Sequence, residues 1–439
     1  MMKTNTIGFV KLKLLIPQIV LLKKKRMRLL FALLLLLLSH LANAQYGCTD
    51  AQATNYDVTA LINDGSCSYA ATILPVPLLT DLSTPLLDEC SGLIIINGQL
   101  WTHVDNTNAA IYRIDSSSSS VLQTININAT TNADWEDLAV SYDYLFVGDF
   151  GNNYGNRTNL HILRIAKNDL ITSATTANAD IIHFQYADQT TFIPQLNANS
   201  FDCEAFFFYD DSLHLFTKDW VKKITKHYIV PATPGTYTAT LVDSFNVNGL
   251  ITSAAIQSNG VITLLGYDNT GFAPCFIWML YDYQPGHFFS GNKRMFTLGS
   301  AATLGQVEGI DFLGNNYGYI SNERFQQLIF NVPPQLKSFD LSPYLPSVAT
   351  VISQQTINGI IYKVFPVPSG DQLNVSINPF KKEKDYSFEL IDLGGKKVLK
   401  QELSDSTTSL NISGVIPGIY MGTISLFNKS ITSFRIIKN

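Results

Sequence analysis

The sequence predicts an all-β protein whose main domain is a five-bladed β-propeller, followed by a small Ig-like β-sandwich, and three observations carry the prediction. One hairpin unit recurs five times between residues 89 and 323. Strand-length apolar runs separated by turn residues fill that region, and none of them holds a helical period. Charged residues are 15% of the chain against about 25% in an average soluble protein, and the apolar, aromatic and Asn-rich remainder suits an extracellular β protein.

Each hairpin opens on an acidic or small polar residue, runs apolar for one strand, turns, runs apolar again and closes on an acid. Glu89 to Asp105 turns at Asn97-Gly98, and Glu136 to Asp149 encloses LAVSYDYLFVG. Glu204 to Asp219 encloses AFFFYDDSLHLFTK, Ser253 to Asp268 turns at Asn259-Gly260, and Glu308 to Glu323 turns at Asn315-Asn316. The openings lie 47, 68, 49 and 55 positions apart, as expected of four-stranded blades of ~40–50 residues with loop insertions. Residues 70–88 form either a sixth, degenerate blade or the strand that closes the ring. A sandwich gives no reason for the fivefold recurrence.

Charge is distributed unevenly. The formal net charge of −5 conceals a middle, residues 45–362, with 12 basic and 28 acidic residues, because residues 1–44 hold eight basic residues and no acid. A surface this acidic excludes nucleic acid as a partner, which requires a basic footprint. The N-terminal stretch reads as a secretory signal peptide: KKKRMR, then the apolar run Leu29 to Leu38, then small residues at Ala42 and Ala44 before Gln45. Met27 suits a true start. The earlier apolar run, Leu14 to Leu22, contains Pro17 and falls short of the ~20 residues that span a bilayer, so no transmembrane segment is expected in the mature chain.

Residues 45–69 form a separate unit. Cys48 and Cys67 bracket a loop rich in Asp and Asn, and outside the cytoplasm they pair most simply with each other. The loop oxygens (Asp50, Asn55, Asp57, Asn63, Asp64) suit either calcium or the turns that these residues make unaided. The stretch GCTD…NY…DGSC.Y resembles a short module recurring in secreted proteins of the Bacteroidota. Cys90 and Cys203 read as buried apolar groups rather than a bridge, and Cys275 has no evident disulfide partner in the sequence.

The hairpin ends are where chemistry is expected. In an antiparallel pair the first residue of one strand meets the last of the other, so opening and closing residues should converge at the channel mouth. Nine of the ten positions are acids: Glu89, Asp105, Glu136, Asp149, Glu204, Asp219, Asp268, Glu308 and Glu323. That many carboxylates cannot all stay ionised together without a counter-charge. Calcium is the expected cofactor, with Asn106, Asn152, Asn269 and Asn322 as neutral oxygen donors. The same acids could equally hold turns and cap backbone amides. Glu136 and Glu204 are the candidate catalytic acids, and His103, two residues before Asp105, is the candidate base. Lys218 beside Asp219 is a further candidate.

LFVGDFGNN (Leu145 to Asn153) resembles NHL repeats, and DWEDLA (Asp134 to Ala139) is similar to the opening of phytase-like and SdiA-regulated propellers, with Asp137 where those have Gly. After an expected linker over residues 346–362, residues 363–439 resemble the type A sorting domain of the type IX secretion system of the Bacteroidota. KVFPVPSGDQLNV, FELIDLGGKKVL and LNISGVIPGIYMGTI match its motifs in order, with Val367 in place of the usual Asn. The resemblance implies handling by the type IX machinery and a secreted or outer-membrane-surface location, after export to the periplasm. The expected function is binding of an extracellular ligand or partner at the acidic mouth. The alternative is a calcium-dependent hydrolase of a phosphoester, lactone or other ester.

Overall fold

A computed structural model describes residues 45–438 apart from 61, 106–107, 271–273, 315, 328, 346–352, 366, 368, 393–395, 417 and 428. The expected signal peptide, Asn106 and residues 346–352 of the expected linker lie outside them.

Each expected hairpin is the inner strand pair of a blade. The innermost strands are Cys90–Ile96, Trp135–Val140, Asp202–Tyr209, Leu250–Ile256 and Gln306–Gly314, and they pack side by side in a closed ring around one axis. The fifth blade has only three strands from its own stretch of chain. Its fourth is Leu78–Asp81, antiparallel to Gln335–Asp340. Residues 70–88 therefore close the ring, and it has five blades.

Local chemistry accounts for the turns. Asn97 and Gly98 have φ of 52° and 75°, and Asp210 and Asp211 have 48° and 58°. Two successive positive φ values match the right-handed twist of the flanking strands, and Asn, Asp and Gly reach that region at least cost.

The core is divided among the seams. Trp101 and Ile94 of the first blade pack with Trp135 and Val147 of the second. Phe146 and Ile162 meet Phe206 and Leu215 across the next seam, and Phe216 and Phe207 meet Ile251 and Leu264 across the third. Leu265 and Phe296 pack with Ile310 and Phe339, and Leu93 and Leu100 with Leu336 across the closing seam. Each seam thus buries its own cluster, as expected of units that cannot hide an apolar face alone.

Outer edges are covered, which removes templates for unwanted pairing. Asp180–Tyr186 and Gly235–Asn246 pair in parallel and join the second and third blades at their rims. Thr176–Ala177 covers the first blade and Thr72–Ile73 the fourth. The 68-residue interval between Glu136 and Glu204 contains that Thr176–Ala177 excursion and residues 187–201, which cross the mouth face.

The Cys48–Cys67 disulfide is present, with Cα atoms 4.7 Å apart. Its module docks on the fourth blade, where Tyr281 donates to Asp50 Oδ2 at 2.5 Å and Asn63 donates to Asp282 Oδ2 at 2.8 Å. At the other end, two four-stranded sheets form the sandwich around Tyr362, Phe388 and Ile436. It begins earlier than expected. Ser353–Ile357 pairs with Ile360–Phe365 through Asn358-Gly359, φ 51° and 76°, so the residues expected to end the linker are a hairpin of the same type.

Candidate ligand site at the propeller mouth

Five of the nine expected acids line one cavity of about 260 Å³ at the mouth: Asp105, Glu136, Glu204, Glu308 and Glu323, joined by Ser91, Asn153, Asn197, Gln306, Lys218, Trp220 and Tyr267. The three Glu of the inner strands reach the axis because they sit near the strand starts, where the strands converge.

Lys218 is the single cation of the lining. Its Nζ pairs with Glu204 and lies 5.0 Å and 5.4 Å from the ring centroids of Trp220 and Tyr267, within cation–π reach. Burial alone would lower its pKa, but Glu204, Tyr267 and Glu308 reverse this and hold the ammonium well above its ordinary value. Glu308 accepts from Gln306 Nε2 at 2.6 Å. Burial pushes Glu308 up to about 8 against the pull of Lys218, and Glu323 likewise to about 8.

Glu136 stands apart from its neighbours. It is 5% exposed, lines the cavity, and its carboxylate takes no hydrogen bond among the described residues. Burial first, then Glu204 and Asp105, raises its pKa well above the carboxylate range. Asp134, missed in the sequence, joins it: ligand oxygens of Asp105, Asp134 and Glu136 lie within 4.8 Å of one another. Asp134 lies in the bend just before the strand Trp135–Val140, so strand alternation alone does not place it. Burial and then Asp105 push Asp134 up to about 7, and burial and then Glu89 push Asp105 up to about 6. Gly151 permits the close fit, because a Cβ there would fall 2.0 Å from Glu136 Oε1.

The remaining acids sit elsewhere. Asp149 is buried on Arg157, 2.5 Å away, and fixes the loop after its strand. Asp219 Oδ1 accepts from the backbone N–H of Val221 and Lys222 at 2.9 and 2.8 Å, and Asp268 accepts from Thr270. Glu89 is exposed outside the lining. His103 is fully buried against Trp135, ring centroids 5.9 Å apart, and lies outside the lining as well. Burial lowers its pKa to about 4. The side chains of Asn152 and Asn322 bond backbone carbonyls, and Asn269 accepts from Lys223.

Asp137 is fully buried among the inner strands. Its Oδ2 accepts from the backbone N–H groups of Phe206 and Ala254 at 3.2 and 3.3 Å, and its Oδ1 from the Ser253 hydroxyl at 3.1 Å. One carboxylate therefore ties the second blade to the third and fourth. Ser91 to the Glu136 carbonyl (2.6 Å) and the Ile95 amide to Asp311 (2.6 Å) bridge the seams on either side of the first blade.

Comparison with known proteins is informative at the C-terminus. A family model described as a secretion system C-terminal sorting domain matches residues 363–439. This segment is a sorting domain. It marks the protein for type IX export to the cell surface or the medium, and no helix among the described residues is long and apolar enough to cross a membrane. No curated sequence matches the chain. Among solved structures, the aldose sugar dehydrogenase of Streptomyces coelicolor in its PQQ-bound form is 9% identical, covering 60% of this chain and 97% of its own at a TM-score of 0.38. PorZ, a surface component of the type IX secretion system of Porphyromonas gingivalis, is 14% identical over 79% of this chain, which spans 45% of PorZ, at 0.30. An exo-β-1,3-galactanase of Phanerochaete chrysosporium is 12% identical, covering 86% of this chain and 94% of its own, at 0.37. At these scores none bears on activity or ligand, and beyond the sorting domain the site must be read from its own residues.

Proposed function

We propose that this is a secreted or cell-surface propeller that binds an extracellular ligand at its acidic mouth, with a calcium ion held by Asp105, Asp134 and Glu136. The observation that carries the reading is Glu136: a carboxylate almost fully withdrawn from water, lining the cavity and without a hydrogen-bond donor. Such a group costs stability unless it takes up a proton or something brings it positive charge. The three oxygens fit calcium, whose ligands at 2.3–2.6 Å stand up to roughly 5 Å apart across the ion. In formal charge the five lining carboxylates outnumber the ion and Lys218 together, and a ligand carrying positive charge would draw Glu308 and Glu323 back to their ionised forms.

Calorimetric titration of chelator-treated protein with calcium chloride tests it. One site is expected in the wild type and none in Asp134→Asn or Glu136→Gln. Absence of heat in the wild type would remove the ion. A second reading, hydrolysis, draws on the raised pKa of Glu136, which suits a general acid. It requires turnover of an ester or phosphoester that Glu136→Gln abolishes, and rates matching blank across such a panel leave binding as the function.

A further inference from the structure

The cavity is smaller than the ~300–1,000 Å³ of pockets that enclose a whole drug-sized ligand. What enters it is a head group, and the rest of the ligand must lie on the surrounding face. Apolar side chains stand exposed on the segments that supply part of the lining. Tyr154, Leu196 and Val221 are 53%, 56% and 60% exposed, and each is the chain neighbour of a residue lining the cavity, Asn153, Asn197 and Trp220 respectively. Phe192 and Ile193, 41% and 69% exposed, continue the strip along the same segment.

The segment is held in place. The amides of Gln195 and Asn197 donate to the carbonyls of Tyr154 and Asn153 at 2.8 and 2.9 Å, and Asn199 Nδ2 donates to the carbonyls of Asn152 and Asn153 at 3.1 and 3.0 Å. Scattered apolar residues on a surface mean little, whereas an apolar strip bordering a polar site marks an interaction surface.

We infer that the mouth and this strip together form a docking site for a protein partner that inserts a lysine or arginine head group among the acids and lays flanking apolar side chains on residues 192–196, Tyr154 and Val221. The inference rests on the ligand-binding reading of the mouth and adds the partner's chemistry. A free polyamine would leave the strip uncovered, and a neutral glycan would bring no cation. A basic residue between apolar ones supplies both. The excess of 28 acidic over 12 basic residues between 45 and 362 would steer such a partner towards this domain.

A phage-displayed library of random 12-residue peptides, panned on the full mature chain, tests it. Enriched peptides are expected to share a lysine or arginine beside leucine, isoleucine or an aromatic residue. In fluorescence polarisation, replacing that basic residue by glutamine should weaken a selected peptide at least tenfold. The double variant Ile193→Asp/Leu196→Asp should do the same with an unchanged melting temperature, and Glu136→Gln should also weaken binding. No enrichment, enrichment without a basic residue, or full affinity for the double variant overturns the inference. If calcium still titrates Asp134 and Glu136 in that event, the reading of the mouth as a binding site stands without it. If Glu136→Gln changes neither calcium nor peptide binding, that reading fails too.

Discussion

Two acid-rich regions of this molecule use the same side chains in opposite ways. In the disulfide module several side-chain oxygens find a donor two residues further along the chain. Asp57 Oδ1 accepts from the amide and hydroxyl of Thr59, Asp64 Oδ1 from the amide of Ser66, and Asn63 Oδ1 from that of Gly65. Hydrogen bonds from Thr59 and Ser66 hold Asp57 and Asp64 below the ordinary carboxylate range. At the propeller mouth the acids sit at strand starts and ends where few amides point inward, and burial pushes them up. An acidic residue is thus a turn former or a ligand site according to where its nearest free N–H lies.

Several measurements would break or sharpen that contrast. The largest effect is expected from Cys48→Ser/Cys67→Ser, which removes a constraint worth ~3 kcal/mol by chain entropy. Hydrogen exchange should rise across residues 45–69 while calcium titration at the mouth stays unchanged; a change at the mouth would mean the two regions are coupled. Next, Asp134→Asn should reduce calcium affinity beyond the ~10–100-fold that losing an outer-shell partner costs, whereas Asp57→Asn and Asp64→Asn should leave it unaltered.

Asp137 is a propeller acid that behaves like one of the module, with every oxygen on a donor. Asp137→Ala should cost about 1–3 kcal/mol in chemical denaturation, since it strands the buried amides of Phe206 and Ala254. Calcium affinity should not move. The smallest effect is in pH. Glu308, Glu323, Asp134 and Asp105 have folded pKa values above their unfolded ones, so they favour the folded state at low pH, and this contribution is lost as pH rises towards about 8. In chelator the melting temperature of the propeller should fall from pH 5 to pH 8, and calcium should restore it most at the upper end. Asp57 and Asp64 act with the opposite sign, their share being lost only as pH falls through their lowered values.

Much of the ring was legible, because hairpin spacing is a property of the chain alone. The inner-strand acids Glu136, Glu204 and Glu308 could be placed at the mouth from strand geometry. Asp149, Asp219 and Asp268 occupy equivalent positions yet turn away, owing to Arg157, to the amides after Asp219 and to Thr270, and those contacts depend on loop conformations that no periodicity encodes. Asp137 was visible as a departure from a Gly-containing motif. Its role depends on amides from two distant blades. Ser353–Ile357 was obscured by its polar composition, although Asn358-Gly359 carried the same turn signal as Asn97-Gly98.

Closure by Leu78–Asp81 has a consequence for how the protein is made. The strand that completes the fifth blade precedes the first in the chain, and its Asp81 meets Gln335 across a separation of 254 residues. A contact that distant forms late and slowly. Until residues 335–340 have crossed into the compartment where folding occurs, the first four blades remain an open arc whose ends, lined by Leu93 and Leu100 on the first blade and by Leu265 and Phe296 on the fourth, have no cover. The sorting domain follows directly behind that last blade, so the export address becomes readable only once the ring has everything it needs to shut.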